Sequence, residues 1–152
     1  MVTVTELDPF AKLVPLDHGL VVVNTLRADG SVQSSVVNAG VLEHPRGGGK
    51  VVGLVAMGGS QKLKNLRADP HITVVVRAGW QWTTVEGDAE IIGPDDPRDD
   101  VDAEALRLLL RDVFVAAGGT HDDWDDCDRV MAEDRRAAVL VSPRRIYGTA
   151  GS

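Results

Sequence analysis

The chain has 152 residues, the size of one ordinary domain, and its 43% hydrophobic and 26% charged residues are those of a globular protein. Lys and Arg number 16 against 23 Asp and Glu, a net charge of −7, so a phosphate-rich polymer is repelled overall and generic nucleic-acid binding is disfavoured. The single cysteine, Cys127, excludes an intramolecular disulfide framework and a multi-cysteine zinc site, and it fits a reducing, cytoplasmic setting.

Met1 to Phe10 carries acidic residues and no long apolar run, unlike a signal peptide. Leu7 to Val14 reads as a short amphipathic helix, ended near Pro15 by the missing proline N–H. Gly19 to Arg27 is rich in β-branched residues and reads as a strand. The turn pair Asp29-Gly30 joins it to a second strand over Ser31 to Leu42, a β-hairpin. Pro45 and the run Gly47-Gly48-Gly49 make a loop, since they lack the spacing of a dinucleotide fingerprint. Lys50 to Met57 is a third strand. After Gly58-Gly59, Ser60 is a suitable N-cap for a helix from Gln61 to Ala68, and Pro70 marks its stop. His71 to Arg77 and Gln81 to Ile92 are strands with Gly79-Trp80 between them.

Asp102 to Ala117 is the clearest helix, with Leu106, Leu109, Leu110, Val113 and Ala117 in one apolar stripe and Gly118-Gly119 at its end. Thr120 to Asp123 fits a capping box for a further helix, on which Trp124, Cys127 and Met131 share a face. Ala137 to Val141 and Arg145 to Gly148 form the last strand, with Pro143 between. No internal repeat or linker divides the chain, so residues 1–152 read as a single domain. Short strands joined by turns, without regular alternation with helices, argue against a doubly wound parallel sheet. They point to a mainly β fold, an antiparallel barrel of about six strands with peripheral helices.

The segment from Gly58 to Arg67 is the most informative for chemistry. Two glycines admit close backbone approach, a helix begins with free N–H groups and a positive dipole end, and Lys62, Lys64 and Arg67 add charge. It reads either as a phosphate site or as a solvated helix with ordinary lysines. Trp80 and Trp82, two apart at a strand start, share one face there and line a planar-ring pocket, the core or an interface. The acidic run from Asp122 to Asp126 reads as a solvated face, because consecutive helical carboxylates diverge. Cys127 reads as a buried hydrophobe. Of Arg135 and Arg136, one could reach an anion while the other pairs with nearby aspartates. No Walker A motif or G-x-S-x-G elbow is present.

Taken together, Lys62-Leu63-Lys64-Asn65-Leu66-Arg67-Ala68-Asp69-Pro70, a strand, and then Val85-Glu86-Gly87-Asp88-Ala89 resemble the pyridoxamine 5′-phosphate oxidase-like split barrels. The stretch Asp122-Asp123-Trp124-Asp125, Met131, Asp134-Arg135-Arg136 and Tyr147-Gly148 narrows the likeness to the actinobacterial B group of flavin/deazaflavin-dependent oxidoreductases, whose members often use coenzyme F420. The resemblance covers about residues 6 to 150. It implies an FMN-binding split barrel and a homodimer with cofactor sites at the subunit interface. It places the cofactor near Ser35 and Asn38 on a strand and Ala56 and Met57 at a strand end. It adds the phosphate loop of Ser60, Gln61 and Lys62, supported by Asn65, together with Trp80 and Arg136. The chain departs from the pattern at Ser60 and Gln61, where close relatives often carry an Arg.

Three functions follow. The first is hydride transfer from reduced F420 to a small electron-poor molecule; the second is an FMN-dependent oxidoreductase of the same fold. The third is a non-catalytic protein that binds a cofactor or haem. In the first two the cofactor carries the chemistry, so no catalytic dyad is expected in the chain. No metal site and no membrane or nucleic-acid partner is expected.

Overall fold

The structure, a computed structural model, describes residues 4–149. In chain order its elements are α1 (Asp8–Leu13), β1 (Leu20–Leu26), β2 (Val32–Glu43), β3 (Lys50–Ala56), α2 (Gln61–Ala68), β4 (His71–Ala78), β5 (Gln81–Ile92), α3 (Ala103–Ala116), α4 (Trp124–Glu133) and β6 (Ala137–Gly148). Every strand pairs antiparallel with its neighbours, and the sheet closes in the order β1-β2-β3-β6-β5-β4 back to β1. Closure leaves no open edge, so strands this rich in valine do not template pairing with another chain. The mainly β split-barrel expectation is met. Among the described residues no helix is long and apolar enough to cross a membrane.

Alternation along the strands builds two cores from one sheet. Val52, Leu54 and Ala56 of β3 point into the barrel beside Val21, Val23, Val74, Val85, Val139 and Val141, and aliphatic side chains fill it. Phe10 and Leu13 of α1 join this interior cluster, as do Leu63 and Leu66 of α2. Val51 of β3 and Ala138 and Leu140 of β6 point outward instead, under Leu109, Leu110 and Val113 of α3 and Cys127 and Met131 of α4. The continuous apolar run Ala137 to Val141 is thus buried on both faces, which is why it does not alternate.

Among the described residues, no helix of this kind covers the opposite side of the barrel. Its outer face presents one cross-strand row in register, Val36, Val22, Val75, Thr84 and Tyr147. Val36, Val22 and Tyr147 in that row are exposed, and Leu20 lies next to it. Trp82 packs edge-on against Tyr147.

Three local expectations are corrected. Trp80 does not share a strand face with Trp82: Ala78 pairs with Gln81, so Gly79-Trp80 is a two-residue hairpin turn and Trp80 is 96% exposed. Pro143 does not break the last strand. A register shift at Glu86/Gly87 lets β5 accommodate Pro143 and keeps β6 continuous. The first α-helix does end beside Pro15, at Leu13, and Pro15 then sits in a 3-10 turn, Val14–Asp17, at a position where no N–H is required. The last helix is capped one turn later than Thr120: Asp123 accepts from the Asp126 N–H at 3.2 Å, and its own N–H donates to His121 Nδ1 at 3.1 Å.

Candidate functional site

Strand β3 ends at Ala56, and the chain turns through Met57, Gly58 and Gly59 into α2. Ser60 caps that helix, its hydroxyl accepting from the Leu63 N–H at 3.4 Å. The helix is held to the barrel by a polar cluster around Asn65, which is 4% exposed. The Asn65 amide donates to Thr25 Oγ1 at 3.1 Å and to Gln33 Oε1 at 3.0 Å, and its carbonyl oxygen accepts from Gln61 Nε2 at 2.8 Å. A buried amide satisfied on both ends fixes orientation, because rotation would strand its partners.

The three cations of this helix have different fates. Arg67 is engaged, its guanidinium donating to both oxygens of Asp96 at 2.8 and 2.6 Å. Lys64 is exposed. Lys62 is half-buried in the first helical turn, and among the described residues no carboxylate or carbonyl partners it. Burial holds its ammonium below the usual lysine pKa. A cation beside a helix N-terminus also opposes the macrodipole. An unpaired, partly desolvated cation at the positive end of a helix is a poor arrangement for stability and a good one for an anion.

A cavity of about 430 Å³ lies on the outer face of β2 and β3, where the end of α3 meets the sheet. Asn38, Val55, Phe114, Ala117 and Arg136 line it, with His18. Its size falls in the range of small-molecule and cofactor sites, about 300–1,000 Å³. Its polar groups are fixed. Asn38 Nδ2 donates to the His18 carbonyl at 2.8 Å, and Arg136 reaches back to Asp134 through Nε at 3.1 Å and Nη2 at 3.0 Å. Among the described residues Asn38 Oδ1 and Arg136 Nη1 keep free hydrogen-bonding capacity. The Gly58 N–H donates to the Asp134 carbonyl at 3.1 Å, so the turn leading into α2 is tied to the segment that carries Arg136. Two non-glycine residues in the left-handed region, His18 at φ 59° and Arg135 at φ 49°, flank this cavity, His18 in its wall and Arg135 next to Arg136. Strain of this kind collects at functional sites.

The structure brings Asn38 and Arg136 together in that cavity, with Met57 exposed at the nearby strand end. Ser35 stands opposite Val23 and faces the barrel side of β2, away from Asn38. Ala56 is buried within the barrel, which leaves its backbone for any ligand contact. Ser60 and Gln61 are engaged as helix cap and Asn65 partner, and Trp80 stands at its exposed hairpin tip. His18, Val55 and Phe114 join the site without having been singled out in the sequence. The signal for His18 was its place before a glycine at a helix end, a weak one in isolation.

The acidic segment is largely accounted for by ion pairs. Asp128 of α4 accepts from Arg111 Nε at 2.8 Å and from Arg107 Nη1 at 3.1 Å, and the Arg111 guanidinium holds its carboxyl below the ordinary 3.8. Arg135 pairs with Asp95 and Arg129 with Asp126, so both Arg135 and Arg136 face carboxylates. Cys127 is buried, and burial raises its thiol, which is inert packing rather than a nucleophile.

The family model described as pyridoxamine 5′-phosphate oxidase matches residues 7–149. Among solved structures, a conserved hypothetical protein of Mycobacterium tuberculosis superposes with a TM-score of 0.67 at 22% identity, over 97% of this chain and 84% of that one. A protein described as an F420 reductase gives a TM-score of 0.56 at 17% identity, over 84% of this chain and 88% of its own. A pyridoxamine 5′-phosphate oxidase-related, FMN-binding protein of Nostoc punctiforme gives 0.59 at 14% identity, over 95% of this chain and 80% of its own. At these identities the likeness establishes the fold.

Proposed function

This chain belongs to the pyridoxamine 5′-phosphate oxidase family, and from that premise we propose that it is a flavin- or deazaflavin-dependent oxidoreductase that uses reduced coenzyme F420 to reduce a small electron-poor organic molecule. The observation that carries the reading is Lys62: a half-buried cation without a partner among the described residues, at a helix N-terminus, one turn of chain beyond the strand whose outer face lines a 430 Å³ cavity. Those residues fit a flat ring with an anionic tail. Lys62 and the free N–H groups of α2 would hold the phosphate. Asn38, its amide already committed to His18, would offer Oδ1 to a ring N–H. Arg136, braced by Asp134, would offer Nη1 to a ring carbonyl. Val55 and Phe114 would exclude water from the ring's apolar part. When bound, the cofactor supplies a hydride with its electron pair.

A second copy of the chain is the proposed partner. The exposed row of Val36, Val22 and Tyr147 faces away from α3 and α4, and Asn38 lies on the same face of β2, one pleat beyond Val36. A dimer using this row would bury that apolar surface and bring partner residues toward the cofactor. Trp80 at its hairpin tip suits such an anchor, since exposed tryptophans contribute most when an interface covers them.

The FMN reading uses the same residues and differs in what binds. Parallel fluorescence titrations with F420 and with FMN test the two, and tighter F420 binding is expected. Preference for FMN would replace the deazaflavin reading with a flavoenzyme. Binding of neither would remove the proposed function.

A further inference from the structure

The cavity beside Asn38 adjoins a second of about 510 Å³, with which it shares His18, Ala117 and Gly118. A third cavity, of about 600 Å³, lies further back along α3, in the groove between that helix and α4. Its size is again that of a small-molecule site. Its floor is apolar, made by Leu106 and Leu110, one turn apart on α3, and by Met131 of α4. Leu110 and Met131 belong to the outer core and Leu106 packs half-buried against it, so close packing fixes this floor.

The charges in the wall are unevenly spread. Arg107 and Asp128 pair with each other at 3.1 Å, and Arg129 is taken by Asp126 and Glu133. Arg135 and Arg136, just beyond the end of α4, also line the groove and differ from these. Each is braced by one carboxylate through Nε and Nη2, Arg135 by Asp95 and Arg136 by Asp134. Among the described residues each keeps Nη1 uncommitted. The turn that carries them is held in place. The Arg135 N–H donates to the Ala132 carbonyl at 3.1 Å and the Arg136 N–H to the Met131 carbonyl at 2.9 Å. Asp125 lines the groove from the first turn of α4, separated from the two arginines by the length of that helix, about 15 Å at 1.5 Å per residue.

We propose that this groove is a second ligand site, and that it takes a free monocarboxylic acid with an unbranched apolar chain. The carboxylate sits at the Arg135–Arg136 end, where two guanidinium groups already held by their carboxylates each offer one more donor. Because Asp95 and Asp134 offset most of the charge there, that end suits a single negative charge and not a polyanion. The chain covers Leu106, Leu110 and Met131 and removes their apolar surface from water. Asp125 decides the other end. A second carboxylate there would meet a like charge, so a dicarboxylate of the same length is rejected. The site stands apart from the proposed cofactor, since Arg136 alone is common to this groove and the cavity beside Asn38.

The probes are decanoate and decanedioate, titrated into the full-length protein below their micellar concentrations. Methyl NMR reads the site, because Met131 lies in the floor of the groove and Met57 stands exposed at the end of β3, outside it. Loss of one signal in Met131→Leu assigns the resonance. Decanoate should shift the Met131 methyl saturably and leave Met57 unmoved, and decanedioate should bind at least about tenfold more weakly. Arg135→Gln should lower decanoate affinity about tenfold. Its Tm should change little, because the exposed Arg135–Asp95 pair contributes little to stability. Asp125→Asn should narrow the gap between the two probes. A Met131 signal unmoved by decanoate, equal affinity for decanoate and decanedioate in wild type, or unchanged decanoate affinity in Arg135→Gln would overturn the proposal.

Discussion

Lys62 and Asn65, three residues apart on one helix, illustrate opposite uses of a polar side chain. Lys62 is costly in the unliganded chain: its charged form is disfavoured by burial and nothing among the described residues offsets it. Because its folded pKa lies below the unfolded one, the charge opposes folding wherever lysine is protonated, neutral pH included. Lys62→Met should therefore leave the Tm of the cofactor-free protein unchanged or higher. It should weaken cofactor binding about ten- to a hundredfold, the value of a charge-assisted hydrogen bond of about 1.5–3 kcal/mol. Asn65→Leu should do the reverse, costing about 1–3 kcal/mol of stability by stranding Thr25, Gln33 and Gln61, with a smaller effect on affinity. Thermal unfolding and fluorescence titration of both variants separate the two roles. Lys62 could be picked out in the sequence as part of a basic cluster following two glycines. That Arg67 is neutralised by Asp96, leaving Lys62 unpaired, depends on a contact 29 residues away, which no local pattern carries.

At the scale of elements, α3 is positioned by an absence of side chain. A Cβ on Gly40 would stand 1.9 Å from the Ala116 carbonyl oxygen, so the helix end rests directly on the β2 backbone. Gly40→Ala should push that end away, at a cost of about 2 kcal/mol or more, roughly 5 °C in Tm at this chain length. It should also reshape the two cavities at that end, since Ala117 lines each. The α3–α4 pair is clamped by Asp128 between Arg107 and Arg111. Its carboxyl titrates below 3.8, so its contribution is present above that pH and is lost as pH falls through the lowered value. Acid titration by circular dichroism should show Asp128→Asn less stable at neutral pH and less sensitive to acid below about pH 4. The strands and the stripe of α3 were legible because period-2 and period-3.6 patterns are local. The β5–β6 bulge around Pro143 and the delayed cap at Asp123 were not, because a bulge depends on the partner strand and Thr120 is an equally good local cap.

For the whole molecule, one barrel wall serves two environments. The helices cover β3 and β6, while Val36, Val22 and Tyr147 of the opposite row remain exposed. Val22→Glu would place a charge in the middle of that row, beside Val36 and Val75. Sedimentation equilibrium should find a dimer for wild type and a monomer for the variant; a wild-type monomer would remove the second copy from the account. The family motifs around Lys62 and Glu86 already pointed to the barrel, because they mark α2 with the start of β4 and the middle of β5, where the sheet shifts register. The cavities beside Ala117 did not show in the sequence, since they arise where the end of α3 meets β2, β3 and the turn at His18, with α3 far from all three in the chain. The central claim is that this site holds a flavin-type cofactor through Lys62. It is tested most directly by titrating F420 and FMN, side by side, into wild type and Lys62→Met. Saturable wild-type binding, tighter for F420 and weakened at least about tenfold in the variant, is the expected result. Equal affinity in both proteins, or binding of neither cofactor, would contradict it.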